Sequence, residues 1–451
     1  MFEFGRELRR LFSHPLSAPK DGLTGGDAGL LELLDLAMLR AEGKAADVAA
    51  GRISVKDRAR RLLEAAVVWR ETARRGGDAL ILRKAASCAE AAAEAFGRAR
   101  RPQGWARARV EQGLCAMLGA ELFGHDGLEA AAERTADEAR RTGGAAGMLA
   151  MTMIAEVRAR RVVAKGDLVA VRMAARAFND PIAMLEAAGR KSGALKLAAA
   201  TARLARAEIL SGAGMRLKDD GLLRAALGDL EAAGEKLDSA YEPLTVSRIE
   251  LARGAVRASL AELVGDVAGL AKAVGDIAGA LENVAREHSP LDWARGQAIL
   301  AQALQSLGEA TAGEAAFEKA ATCYDRAGLV LKDAPGLSLR AVVASNRALC
   351  LARSAELTGD LSVLDAAETG FKSELAQSPH QKDPAAWALL QVQLGQIYVT
   401  RLRLTGKDRG ERAAAALAFS AALDVFGELG LRSLSAVASD SLEQLAAVPA
   451  H

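Results

Sequence analysis

The groups in this chain with chemistry to offer are five histidines, four cysteines and many carboxylates, and their spacing decides what they can do. His14, His125, His288, His380 and His451 lie far apart, in stretches read as loops or termini. No H-E-x-x-H run or His/Cys cluster sets up metal ligation. His125 and His288 adjoin carboxylates, but at turn and boundary positions, where an isolated imidazole has no partner to set its role. Cys88, Cys115, Cys323 and Cys350 show no CxxC spacing. Each sits in an Ala/Leu-rich helical context, so they are expected as buried small hydrophobes in a reducing cytoplasm. There is no G-x-S-x-G elbow. Gly406-Lys407 lacks the earlier glycine and the following Ser/Thr of a phosphate loop, and Gly212-x-Gly214 lacks the third glycine and the preceding strand of a dinucleotide site. Most carboxylates stand three or four residues from a Lys or Arg, the spacing of surface pairs on a helix. The chain is therefore read as non-enzymatic, with no catalytic residue, cofactor or metal.

The elements that would position any site are helical. The chain is rich in Ala, the best helix former, with only 10 Pro and 4% aromatics in 451 residues. Alternating strand-type runs are nearly absent. So few aromatics do not fill one thick core, whereas many thin Ala/Leu interfaces suit a solenoid. The clearest unit is 292–327, which reads as two helices folded back on each other, the first from about Trp293 to Leu307 and the second from about Glu314 to Ala327. In the second, Ala320, Tyr324 and Ala327 share one stripe, and the small residues let a neighbouring helix approach.

This pattern recurs at Ala92/Phe96/Ala99, Ala132/Ala136/Ala139, Ala174/Phe178, Ala233/Leu237/Ala240, Ile277/Leu281/Val284, Ala367/Phe371 and Ala415/Phe419/Ala422. Steps between the first positions are mostly 40 to 48 residues, with one of 59 that holds extra sequence around 181–193. Self-similarity at such a period marks a repeat array. Turn signals keep the same phase: Gly77-Asp78, Gly124-His125-Asp126, Gly166-Asp167, Asp220-Gly221, Gly265-Asp266, Gly308-Glu309, Gly359-Asp360 and Gly406-Lys407-Asp408. Glycine just past a helix end takes the left-handed cap conformation, and the acid after it caps the next helix.

Leu394-Gly395-x-x-Tyr398, followed by Ala415-x3-Phe419-x2-Ala422, resembles the tetratricopeptide (TPR) pattern. The stretch from Leu291-Asp292-Trp293-Ala294 to Leu307-Gly308-Glu309 resembles the longer TPR-like repeats of bacterial proteins. The resemblance covers roughly Arg52 to Leu445. It departs from the family in its period, longer than the ~34 residues of the standard unit, and in missing most of the closing prolines. The expected fold is all-α, a right-handed α-solenoid of about eight TPR-like helical hairpins. The resemblance implies a protein-interaction scaffold or adaptor whose groove is lined by the first helix of each repeat. In that register the partner-binding candidates are Arg107, Arg295, Gln302, Gln305, Gln396 and Thr400, side chains suited to bonding the backbone and carboxylates of a protein or peptide.

Net charge is +2, but residues 1–220 carry +9 and the remainder −7. The run 97–109, GRARRPQGWARAR, joins arginines to Trp105, a combination that can grip phosphate and stack bases. Trp105 also falls where Trp293 and Trp387 open their helices, so the repeat explains it; nucleic acid is not the expected partner, and a nucleic-acid-linked regulator using the basic N-terminal repeats is kept as an alternative reading. Residues 1–16 are amphipathic, with Phe2, Phe4, Leu8, Leu11 and Phe12 against Arg6, Arg9 and Arg10. Peripheral membrane contact through 1–12 is the alternative they open, that of a membrane-recruited assembly factor. A linker (17–29) and a capping helix (30–40) complete an N-terminal region of 1–51, followed by the solenoid over 52–451. No signal peptide or apolar run of spanning length is present, so a cytoplasmic location is expected.

Overall fold

The computed structural model describes residues 30–52, 57–163, 166–190, 192–332, 334, 336–377, 380 and 383–448. The amphipathic segment 1–16 and the linker 17–29 lie outside them. Contacts divide the chain into two compact units: residues 1–296 with 336–338, and residues 297–335 with 339–451.

Unit 1 begins with a 3-10 turn, Leu31–Leu33, and helix α1, Leu36–Gly51. The single capping helix read from the sequence at 30–40 is thus broken and displaced. Leu34 is extended and Asp35 caps α1 by accepting from the Met38 amide at 2.7 Å. The Asp35 carboxylate satisfies a free helix-end amide, which starts a new helix where apolar periodicity alone predicts continuation.

Hairpins follow as α2 (Arg58–Gly76) with α3 (Ala79–Arg98), α4 (Pro102–Phe123) with α5 (Asp126–Arg140), and α6 (Gly144–Val163) with α7 (Leu168–Arg176). Helix α8 (Asn179–Gly189) takes up the extra length of the long repeat step. Then come α9 (Gly193–Leu217) with α10 (Asp220–Gly234), and α11 (Pro243–Val264) with α12 (Val267–Glu282). The two helices of each hairpin pack on one another, α8 packs on α6 and α9, and first helices also touch one another: α2 with α4, α4 with α6, α6 with α9, and α9 with α11. Helix α1 covers the first hairpin. Gly43 lies against the Trp69 ring, which leaves no room for a Cβ, and the Trp69 indole donates to Asp47 at 3.0 Å. Helix α8 is tied down by Glu186, which pairs with Arg203 at 2.7 Å, and by Asn179, which accepts from Arg206 at 2.7 Å. Both arginines converge on the buried Asp229.

Helix α13 (Pro290–Thr311) contributes its first turns to unit 1. The rest of α13, with α14 (Glu314–Leu331), α15 (Ser338–Thr358), α16 (Leu361–Gln377), α17 (Pro384–Thr405), α18 (Glu411–Glu428) and α19 (Arg432–Ala447), forms unit 2.

Most stripe residues are core residues, although Ala99 and Ala240 lie past the ends of α3 and α10 and are exposed. Ala92, Ala132, Ala233, Ile277, Ala320, Ala367 and Ala415 are fully buried, as are Phe178 and Phe419. The L-G-x2-Y glycine has a steric reason: a Cβ on Gly395 would stand 2.5 Å from the Phe419 ring. Two predicted turns differ. Gly308 is inside α13, facing Phe317, and the chain turns at Ala312 (φ 50°) and Gly313 instead. Before α10 the cap is Asp219, which accepts from the Leu222 amide at 2.8 Å, after Lys218 with φ 53°. In both places tertiary packing sets the helix end, against the local glycine preference.

Candidate functional site: a charged inner wall in unit 1

The first helices of unit 1 carry a chain of opposite charges along their shared face. On α2, Arg70 pairs with Glu111 of α4, whose carboxylate is fully buried. The next residue, Glu71, accepts from Arg74 Nε at 2.8 Å and from Arg75 Nε at 2.6 Å. Burial works against the Glu71 charge, but the two guanidiniums outweigh it and hold the carboxyl well below the usual range.

Arg74 reaches the other way, to Asp292 of α13 at 3.5 Å. Asp292 is the most heavily bonded acid of the wall. It takes both nitrogens of Arg248 from α11, at 2.9 and 2.5 Å, and the Ser289 hydroxyl at 2.6 Å. One turn along α13, Arg295 meets Glu121 of α4 at 2.6 Å. Helix α13 is therefore in direct contact with α2 and α4, from hairpins more than 170 residues earlier, and the first helices of unit 1 face one another across its inside.

Beyond Glu121 the wall turns acidic. Arg160 on α6 pairs with Glu156 at 2.6 Å and lies 3.9 Å from Glu121. Glu121 is desolvated, yet Arg295 and Arg160 outweigh this and lower its pKa. Glu156 is raised by burial, which Arg160 only partly offsets and Glu121 reinforces. Glu208 on α9 has no hydrogen bond or ion pair among the described residues. Its side chain keeps solvent exposure, and crowding by the wall together with the nearby Glu121 pushes its carboxyl to about 7, against the pull of Arg295. At the opposite end Arg107 is half-buried and also unpaired among the described residues. Burial lowers its pKa, and Arg70 adds to this while Glu111 opposes it.

The sequence-derived candidates fall in both units. Arg107 and Arg295 lie on the inner wall of unit 1. In unit 2, Gln302 is exposed and Gln305 donates to Glu309, its neighbour one turn on, at 3.2 Å. Gln396 donates to the Ser441 hydroxyl at 3.0 Å. Thr400 is buried, and its hydroxyl donates to Glu356 at 2.8 Å. The acids Glu71, Glu121, Glu156, Glu208 and Asp292, with Arg74 and Arg160, escaped the sequence reading. One signal was present: Arg74 and Glu121 each stand three residues before a left-handed glycine cap, Gly77 and Gly124. The turn pattern was in view, but not the charge ahead of it.

The basic run 97–109 is largely internally neutralised. Arg98 pairs with Glu94 at 3.3 Å, Arg101 with Asp57 at 3.0 Å and Arg109 with Glu138 at 2.5 Å, while Trp105 packs against the Ala106–Val157 core. Cys115, Cys323 and Cys350 are buried. Burial raises the thiols of Cys115 and Cys350, the latter to about 12, which keeps them from the reactive thiolate form. Among the described residues, no His, Cys, Asp and Glu side chains form a group of three that could hold a metal ion, and no helix is long and apolar enough to cross a membrane.

No family model matches the chain, and no curated protein matches it by sequence. Solved structures similar to it are helical repeats. A Rap protein complexed with competence and sporulation factor aligns at 11% identity and TM-score 0.46, over 85% of this chain and 98% of that one. The TPR domain of P58(IPK) aligns at 13% and 0.21, over 91% and 98%. Yeast Tom70 aligns at 12% and 0.24, over 91% and 96%. By its stacked hairpins, buried alanine stripes and glycine contacts, the chain is an all-α array of helical hairpins.

Proposed function

We propose that this protein is a non-enzymatic interaction scaffold or adaptor that takes an extended peptide or protein segment along the inner wall of unit 1. One observation carries the reading. Charged side chains from α2, α4, α6, α9 and α13 converge on a single face, at positions the repeat leaves free, and two of them, Arg107 and Glu208, have no direct partner there. Arg107 is half-buried, and a partly desolvated charge without a partner is costly to keep, while the exposed Glu208 stands open to a cation. A ligand that supplies the missing counter-charge recovers that cost.

The wall suggests what the ligand looks like. Arg107 and Glu121 lie on one helix, 14 residues apart. At the α-helical rise this is about 21 Å, the span of about six extended residues. Arg107 offers a planar guanidinium to a carboxylate at one end. Glu208, beside Glu121, offers an acceptor to a lysine, arginine or terminal amine at the other. The ion pairs between them favour a ligand with charges in a set order, since a wrong sign meets a like charge.

The test is selection from a displayed random-peptide library on the full chain. Peptides enriched for an acid and a base several residues apart are expected, and their affinity should fall by about tenfold or more, at least ~1.4 kcal/mol, in Arg107→Glu and in Glu208→Lys. Selected peptides that bind both variants as tightly as the parent chain would place the binding surface elsewhere.

A further inference from the structure

Where hairpins at the two ends of unit 1 meet, a third piece of chain crosses the seam. The 3-10 turn Leu31–Leu33 is held from both sides. Arg75 of α2, fully buried, donates to the carbonyls of Leu34 at 2.6 Å and Leu31 at 2.8 Å. The carboxylate of Glu32 accepts from the amides of Leu244 at 2.8 Å and Thr245 at 2.9 Å, at the start of α11, and from the Thr245 hydroxyl. The ring Nε2 of His288, just before α13, lies 2.6 Å from the Glu32 carbonyl oxygen. Three residues thus bridge α2, α11 and the approach to α13, the elements that bring Arg74, Arg248 and Asp292 together.

Capping the first hairpin does not require this. Helix α1 already covers it, through Gly43 and Trp69. The turn is also mechanically separate from α1. Leu34 is extended, with ψ 133°, and Asp35 starts α1 afresh. The turn can leave its seat without unwinding the helix that follows. Glu32 fits that seat well, because the free amides of a helix N-terminus favour an anion.

We propose that the Leu31–Leu33 turn is a strap that holds the two ends of unit 1 together, with Glu32 as its clasp on α11, and that peptide binding to the inner wall works against this clasp. The competition rests on the reading of the inner wall as a binding surface; the closure does not. A ligand entering between α13 and the helices α2 and α4 has to part Arg295 from Glu121 and Arg74 from Asp292, and the strap ties α2 to the approach to α13.

Hydrogen–deuterium exchange on the full chain tests the closure, comparing the parent with Glu32→Ala and Glu32→Gln. In Glu32→Ala, exchange should rise by about tenfold or more at the last turn of α2 and the first turns of α13, which make no bond to the Glu32 carboxylate, and stay unchanged over α5 to α8. Glu32→Gln should match the parent, since its amide oxygen still accepts from both N–H groups and its NH2 donates to Thr245. Faster exchange confined to Leu244 and Thr245 would make Glu32 a helix cap and overturn the strap. So would an even rise across the chain, which would make the contact a general prop of the fold. Should Glu32→Ala fold poorly, Thr245→Val removes one donor and is expected to give the same pattern at smaller amplitude. The competition is read separately, with a library-selected peptide, which should bind Glu32→Ala several-fold more tightly than the parent. Loosened exchange with unchanged affinity overturns the competition. If no peptide binds either protein, it is the inner-wall reading that fails, and the exchange pattern still decides the strap.

Discussion

Arg295 on α13 and Glu121 on α4 are 174 residues apart in sequence and 2.6 Å apart in space. Their side chains keep 42% and 37% exposure, so the pair stands at an accessible surface and not in the core. The pair closes unit 1 on itself and separates the buried network around Asp292 from the exposed end of the wall.

The separation is measurable in stability. Arg295→Ala removes a half-exposed pair and should cost less than about 1 kcal/mol. Asp292→Ala strips a buried acid from Arg248, Arg74 and Ser289. It should cost about 3 kcal/mol or more, because it leaves buried cations unpaired. Urea denaturation of the two variants checks the order; equal losses would remove the distinction.

Glu208 should give unit 1 a pH dependence of definite sign. Its carboxyl is raised from 4.5 in the unfolded reference to about 7 in the fold. Protonation therefore favours the folded state. The contribution is fully present below about 4.5 and is lost as the pH rises through about 7. Denaturation curves at pH 5, 6, 7 and 8 should show the parent losing stability relative to Glu208→Gln over that window. Parallel profiles for the two proteins would show that Glu208 does not titrate there.

In unit 2, Gly395→Ala sets helix propensity against packing. The alanine gains roughly 1 kcal/mol of propensity. Its Cβ also meets the Phe419 ring at 2.5 Å, and overpacking of this kind costs about 1–3 kcal/mol. Net destabilisation is expected, and pairing with Phe419→Leu should reduce it. A double-mutant cycle reads the coupling, and strict additivity would deny the contact.

Ala320→Trp places an indole where a fully buried methyl now sits. It should destabilise by about 3 kcal/mol. Because hairpins bond mainly to their neighbours, amide exchange should quicken first in α13 to α15 and last in α18. An unchanged melting profile would overturn the placement of Ala320 in the helix interface.

The sequence by itself determined the helical hairpin and its period. Alanine at the stripe positions is dictated by how closely two helices approach, and Gly395 by the ring of Phe419. Such contacts lie within one or two repeats, so they leave a periodic trace that can be read in one dimension. The left-handed caps at Gly77 and Gly124 were legible for the same reason. Helix ends fixed by packing were not, as at Gly308, where the ring of Phe317 sits against a helical glycine, and at Leu34, where Asp35 begins α1 again.

The charge pairs of the inner wall and the seat of Glu32 come from long-range contacts. Arg107 and Arg295 could be put on the groove face from register alone. The acid that meets Arg295 could not, because Glu121 lies 174 residues away, and the Glu32–Thr245 hydrogen bond spans 213 residues. Contacts at that separation follow from how far unit 1 curls. The curl is the sum of small rotations between successive hairpins, and no local pattern of residues records that sum.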